Sequence, residues 1–529
     1  MRTRPPTLAS PLGGALFLLL FGSSCAEYGL EAGDYESARS DSGYASAGAV
    51  ESDADADTDD DDDGEAPPED EDDYLRMAPA ATDKYVFVAN PGRDTVTRIA
   101  VSDLAVQTVE VGHIPSTVFT TGDFAQAVTL NEGDDSVSIV TAETMVVEDL
   151  AIRDNMNSLS LSGDGEWAMA WYDPDKDSMG TSNGVLSFNE VSLVRMEPPT
   201  HHPLAVGYNP QGVRWSDDGK LAVVVSDGSL AVIDLTVDPP STRTIAIAED
   251  ELDAPPAEEV VLSPDGKYAF VRQGGTEFLL VIDLAAGTVS EVDVGEDPTD
   301  MDVTPDGQRL AVVARTAREI WAYDVDDPFA TPTLVAFPSD SAYGAVAFAG
   351  DGTRAILYTN ALRLDTLAIW DTETDSFDER SLIKPVQSIG LSPAGDNAII
   401  FHTKEDADDA DDDNPFNGEW AATLMETDGA GENKLLLPAE PSGYGVTDDS
   451  AFGFFIMKGE ETLEVVSFST LLPTLVSLPS EPVFVGALPD SPFIYASQQH
   501  ELGRISFYEA ANAELDTITG FELNADIEH

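Results

Sequence analysis

The chain has 529 residues, of which 99 are acidic and 26 basic, for a formal net charge of −73. That balance excludes nucleic-acid binding, which rests on Lys and Arg meeting phosphates, and charge-driven docking on anionic lipid. It suits solubility, cation binding or a cationic partner, and the single cysteine leaves no pair for a disulfide.

Residues 1–24 carry Arg2 and Arg4 and then the apolar run Leu16-Phe17-Leu18-Leu19-Leu20-Phe21. The run is too short to span a bilayer as a helix, and its flanks fit a cleaved export signal. Gly22-Ser23-Ser24-Cys25 follows, and it resembles a bacterial lipobox, with Gly22 standing where Leu is usual. The resemblance implies that Cys25 becomes a lipidated N-terminus in a cell envelope. Ala26 in the next position resembles the outer-membrane-sorted class. An ordinary secretory signal, and hence a secreted protein, is the alternative.

Residues 25–75 form the next segment. Between 51 and 73 stand fifteen Asp or Glu and no Lys or Arg. Such a stretch buries too little apolar surface to offset its ordering entropy, and its like charges extend it. It reads as a disordered acidic tether; a calcium-attracting polyanion is the sharper alternative.

From residue 76 to 529 one pattern recurs. Ser263-Pro264-Asp265-Gly266 is its clearest copy, and degraded copies are anchored at 82, 122, 164, 218, 265, 306, 351, 394, 449 and 490. The intervals are 40, 42, 54, 47, 41, 45, 43, 55 and 41 residues. Pro presets φ, Asp bonds its own backbone two residues on, and Gly supplies positive φ, so the phrase is a turn. A strand such as Tyr268-Ala269-Phe270-Val271 follows, then one ending in Asp, such as Leu279 to Asp283, then an outer one such as Thr288 to Val294. The inner strand of each unit, such as Glu259 to Leu262, precedes its anchor. Four strands in about 40 residues is the size of a propeller blade.

The unit resembles the YVTN-type propeller repeats of bacterial surface proteins, through Tyr85-Val86-Phe87-Val88-Ala89-Asn90, Ser263 to Tyr268, and Val281-Ile282-Asp283-Leu284. The fold class is therefore all-β: a β-propeller of about ten four-stranded blades. Propellers typically have four to eight, so two rings or a smaller remodelled ring stay open beside one continuous ring. The outer strand is expected over Thr517 to Leu523, and either Tyr74 to Thr82 or Ala525 to His529 to complete a terminal blade.

Two units are longer. One insertion holds Asp173, Asp175 and Asp177, a weak calcium candidate whose alternating carboxylates lack the twelve-residue EF-hand spacing. The other, Glu405 to Asn414, is acidic and of low complexity. His201 and His202 are adjacent in an extended segment and point apart, so they make a poor metal pair. The tryptophans lie mostly in strand runs and read as blade packing. No Gly-x-Ser-x-Gly elbow, Walker loop or His-Glu-x-x-His is present. The function expected is a binding or scaffold module for a protein, peptide or glycan. The alternative is a propeller enzyme, as some propellers with similar repeats are, of lactonase or quinoprotein-like type with a metal at the ring mouth.

Overall fold

The computed structural model describes residues 79–176, 188–248, 255–407 and 413–521. Within them the strands form ten four-stranded antiparallel sheets, each built from four strands consecutive in sequence. The sheets are the blades of one ring: blade 1 is 80–110, blade 2 115–151, blade 3 158–205, blade 4 210–246 and blade 5 257–293. Blades 6 to 10 span 298–336, 345–381, 386–436, 441–477 and 482–519. The expectation of one continuous ring of ten holds.

Each blade is sandwiched between two others, which explains its strand composition. In blade 5 the second strand, Tyr268–Gln273, is buried at all six positions, and Phe278–Asp283 is buried at four. The outer strand Thr288–Asp293 alternates between half-buried and exposed. The middle strands read as continuous apolar runs because both faces are covered. Val223, Val225 and Leu230 of blade 4, for instance, pack on Val260, Ala269 and Val271 of blade 5. Trp167 and Trp171 pack between blades 3 and 4 in the same way.

The recurring turn joins the first strand to the second, and its centre is a buried hydroxyl. Ser263 Oγ accepts from the amides of Lys267 and Tyr268, at 3.0 and 2.8 Å, and donates to Asp265 Oδ1 at 2.7 Å. Asp265 Oδ1 in turn accepts from the Lys267 amide. Thr121, Ser162, Ser216, Thr304 and Thr447 repeat this hub, each with an Asp two residues on. The hub corrects the register of the first two units. Thr82 is itself the hub of blade 1, whose turn is two residues shorter, so that Lys84 and Tyr85 take the places of Lys267 and Tyr268, and in blade 2 Asp123 takes that of Asp265. Successive turns also abut. A Cβ on Gly307, where φ is +71°, would stand 2.6 Å from Pro264 Cγ of the preceding turn. The glycine therefore answers to its neighbour as well as to φ.

The third strands end in Asp for a related reason. Asp283 Oδ1 accepts the amides of Ala285 and Ala286, and Asp371 Oδ1 accepts that of Thr374, each closing the turn to the outer strand.

Both terminal blades reach four strands from their own contiguous chain. Ala80–Ala81, inside the segment expected to complete a blade, is the inner strand of blade 1, and Glu514–Thr519 is the outer strand of blade 10. The ring closes by packing: Val86, Ile99 and Val101 of blade 1 meet Leu488, Tyr495, Ile505 and Phe507 of blade 10.

Candidate functional site

The first strands of successive blades neighbour one another and so line the axis. They begin alike. Pro115, Pro210, Pro298, Pro441 and Pro482 each open a first strand, eight residues before the Asp position of the turn. A register shift follows at the second residue, where the strand bulges. Proline at a strand's start removes no ladder hydrogen bond, and a bulge re-aims the residues after it.

An inner strand presents one backbone edge to the axis, and an open edge needs partners. Here side chains of one inner strand bond the backbone of the next. Arg214 Nε donates to Val260 O at 2.9 Å, and Glu259 Oε2 accepts the Met301 amide at 3.0 Å. Asp300 Oδ2 accepts the Val346 amide at 2.6 Å, and Thr299 Oγ1 donates to Gly344 O at 2.5 Å. Tyr444 OH donates to Ile389 O, and Thr120 Oγ1 to Ala81 O.

The charged members cluster on blades 4 to 7. Arg272 is 9% exposed at its side chain and ion-pairs with both Glu258 and Glu259, the latter at 3.2 Å. Burial holds the Asp300 carboxyl above its ordinary range, against the pull of the Val346 amide and Arg272. The opposite wall carries glycines instead: Gly390, Gly445 and Gly486 leave room for the rings of Tyr444, Phe454 and Tyr495. The inner strands thus carry charges on one side of the ring and glycines on the other.

Of the residues singled out in sequence, Asp173 lies at the edge of blade 3. Its amide and carbonyl pair with the Asn157 side chain, and its carboxylate faces Lys176 Nζ at 3.9 Å. Asp175 lies in the short 3-10 turn Pro174–Lys176, whereas Asp177 lies outside the described residues, as do Cys25 and the tether. Among the described residues no three acidic, His or Cys side chains converge to hold a metal ion. His201 and His202 face opposite sides of the third blade's outer strand. His201 Nε2 meets Ser192 Oγ at 3.1 Å, and His202 lies 6.1 Å from the Trp167 ring.

The second insertion is held by a lysine that sequence reasoning passed over. Lys384 Nζ, 1% exposed, donates to Lys404 O and Glu419 O, both at 2.8 Å, and ion-pairs with Asp406 Oδ1 at 3.0 Å. Burial pushes the Asp406 carboxyl up, but the Gly418 amide and Lys384 outweigh it and hold it below its ordinary value. Beside this anchor lies a cavity of about 280 Å³ lined by Asp365, Lys384, Asp406, Asn414 and Asn417. The axial charges were missed too. Their one signal was Glu258-Glu259 and Asp300-x-Asp302, acids placed within otherwise apolar inner strands.

No family model matches the chain, and no curated protein sequence does. Solved structures match it. One is the dihydro-heme d1 dehydrogenase NirN in complex with DHE, over 75% of this chain and 76% of that one, at 14% identity and a TM-score of 0.42. A eukaryotic initiation factor matches over 67% and 96%, at 12% and 0.38. The hydrazine synthase of Kuenenia stuttgartiensis matches over 58% and 95%, at 18% and 0.30. At these identities and scores the likeness carries nothing about ligand or chemistry.

Proposed function

We propose that this protein is a lipid-anchored binding scaffold of a bacterial cell envelope. In this reading residues 1–24 are the export signal, Cys25 carries the lipid, 25–75 are the acidic tether, and the propeller from 76 to 529 presents its rim loops to a protein, peptide or glycan. The repeats are of YVTN type, a kinship supported by the hydroxyl-centred turn and the Asp-ended third strand.

The observation that carries the scaffold reading is the use made of the axial charges. Arg214, Glu259 and Asp300 each hold the backbone of the adjacent inner strand, and Arg272 is paired twice. Groups held so are parts of a rigid frame, and a rigid frame that positions loops is what a binding module needs.

Two measurements test this. Metabolic labelling with palmitate is expected to mark the full chain and to lose the mark in Cys25→Ser, which moves to the soluble fraction. A photo-crosslinking residue placed at Gln308 or Thr353, on two of the recurring turns, is expected to give discrete adducts in intact cells. Labelling without adducts at either turn, or at the loops of the other mouth, would leave a spacer and sink the scaffold reading.

A further inference from the structure

We propose that the ring parts at one joint, between blades 10 and 1, and that the Tyr495 hydroxyl is its latch. Nine of the ten joints are crossed by the chain itself, which runs from the outer strand of one blade to the inner strand of the next. Among the described residues the tenth is not crossed, and no strand is shared across it, because blades 1 and 10 each complete four strands from their own segment. Separating those two blades therefore breaks only side-chain packing and hydrogen bonds, and it leaves each blade packed on one face alone, so that its sheet frays and its amides exchange faster. Local opening follows the least connected element of a structure.

The latch is built. Tyr495 pairs across the sheet with Gly486, and the space of a missing Cβ there is taken by the phenol oxygen, 2.6 Å from where that carbon would stand. The ring thereby lies along its own inner strand, and its hydroxyl donates to Pro79 O at 2.7 Å. This bond crosses the joint where none of the described chain does. Its acceptor immediately precedes Ala80–Ala81, a two-residue inner strand where most other blades have six. On the side of blade 10, blade 1 is thus held at the axis by a short strand and the Tyr495 phenol, while Thr120 of blade 2 holds Ala81 from the other side. On the tether reading, Pro79 is also where the anchored segment reaches the ring, so tension on the anchor acts on the latch's acceptor.

A second tyrosine provides the control. Tyr444, on the inner strand of blade 9, lies over Gly390 of blade 8 and donates to Ile389 O at 3.2 Å, a phenol-to-backbone bond at a joint which the chain does cross.

The test is hydrogen exchange on the full chain, read strand by strand by mass spectrometry. In the native protein, Tyr85–Asn90 and Phe493–Gln498 are expected to exchange faster than their counterparts Tyr268–Gln273 and Arg309–Ala314. Tyr495→Phe removes one hydrogen bond and is expected to speed exchange in blades 1 and 10 by about three- to tenfold. Gly486→Ala, which displaces the phenol, is expected to do the same, and Tyr444→Phe to leave blades 8 and 9 unchanged. Uniform protection around the ring, or equal effects of Tyr444→Phe and Tyr495→Phe at their own joints, would overturn the proposal. Neither outcome depends on whether Cys25 is lipidated.

Discussion

Ser263 shows how much one hydroxyl organises. It satisfies the amides of Lys267 and of the buried Tyr268, and aligns Asp265 to satisfy the first of them again. Ser263→Ala leaves those amides short of a partner and is expected to cost about 1–3 kcal/mol in urea unfolding. Blade 7 forms with Ala349 at that position, so the loss should weaken a blade without abolishing it. Gly307→Ala meets both a positive φ and the Pro264 ring, and is expected to cost more than about 1 kcal/mol. His402 links one residue to pH. Burial, with Lys384 and Lys434 nearby, lowers its pKa to about 4, while its ring meets Pro385 O and Thr423 Oγ1. The unfolded chain takes the proton first, near pH 6.5, so this contribution is whole above about 6.5 and falls by up to about 3 kcal/mol as pH drops toward 4. A pH series of melts is expected to be flatter over that window in His402→Gln; an unchanged slope would remove His402 as the cause.

The strands and loops were unequally legible. Second and third strands stood out because both their faces are buried, which leaves an apolar run, and the Asp at the end of the third stood out because it closes a turn. The first strands were harder, since they mix Pro, Gly and acids: Glu258, Glu259, Asp300 and Asp302 look like surface residues until Arg272 of blade 5 and the amides of neighbouring blades are in place. Glu259→Ala is expected to cost about 2–4 kcal/mol, because it strips a buried guanidinium and an edge amide at once. Glu259→Gln, which keeps an acceptor, should cost less; equal losses would mean that the strand-to-strand bond contributes nothing. The second insertion looked like a free acidic loop, yet it is pinned at its base. Lys384→Met is expected to expose 403–420 to protease at low enzyme concentration, while cleavage elsewhere stays constant.

The ring as a whole holds many like charges in a small volume. Self-repulsion of that kind destabilises a compact state and is screened by salt, with a Debye length near 10 Å at 0.1 M. The melting temperature is therefore expected to rise between low salt and about 0.5 M sodium chloride, an ionic strength at which screening is nearly complete over blade-to-blade distances. A flat response would mean that the carboxylates are already neutralised, by local pairing or by bound cations. The same scale decides closure. Ten blades complete one ring, and the joint between the chain's two ends rests on the Val86, Ile99, Tyr495 and Phe507 cluster.

Local chemistry carried the blade: its turn, its strand order, its length and its repetition follow from Pro, Asp, Gly and buried β-branched runs acting within about 40 residues. Those forces act between near neighbours in the chain, so they leave a trace in any one copy of the repeat. The number of rings, the way the ends meet, the fate of the axial acids and the anchoring of the second insertion were settled only by the assembled molecule. Each depends on groups brought together from separate blades, such as Tyr495 and Pro79 or Lys384 and Asp406. No spacing along the chain encodes those meetings.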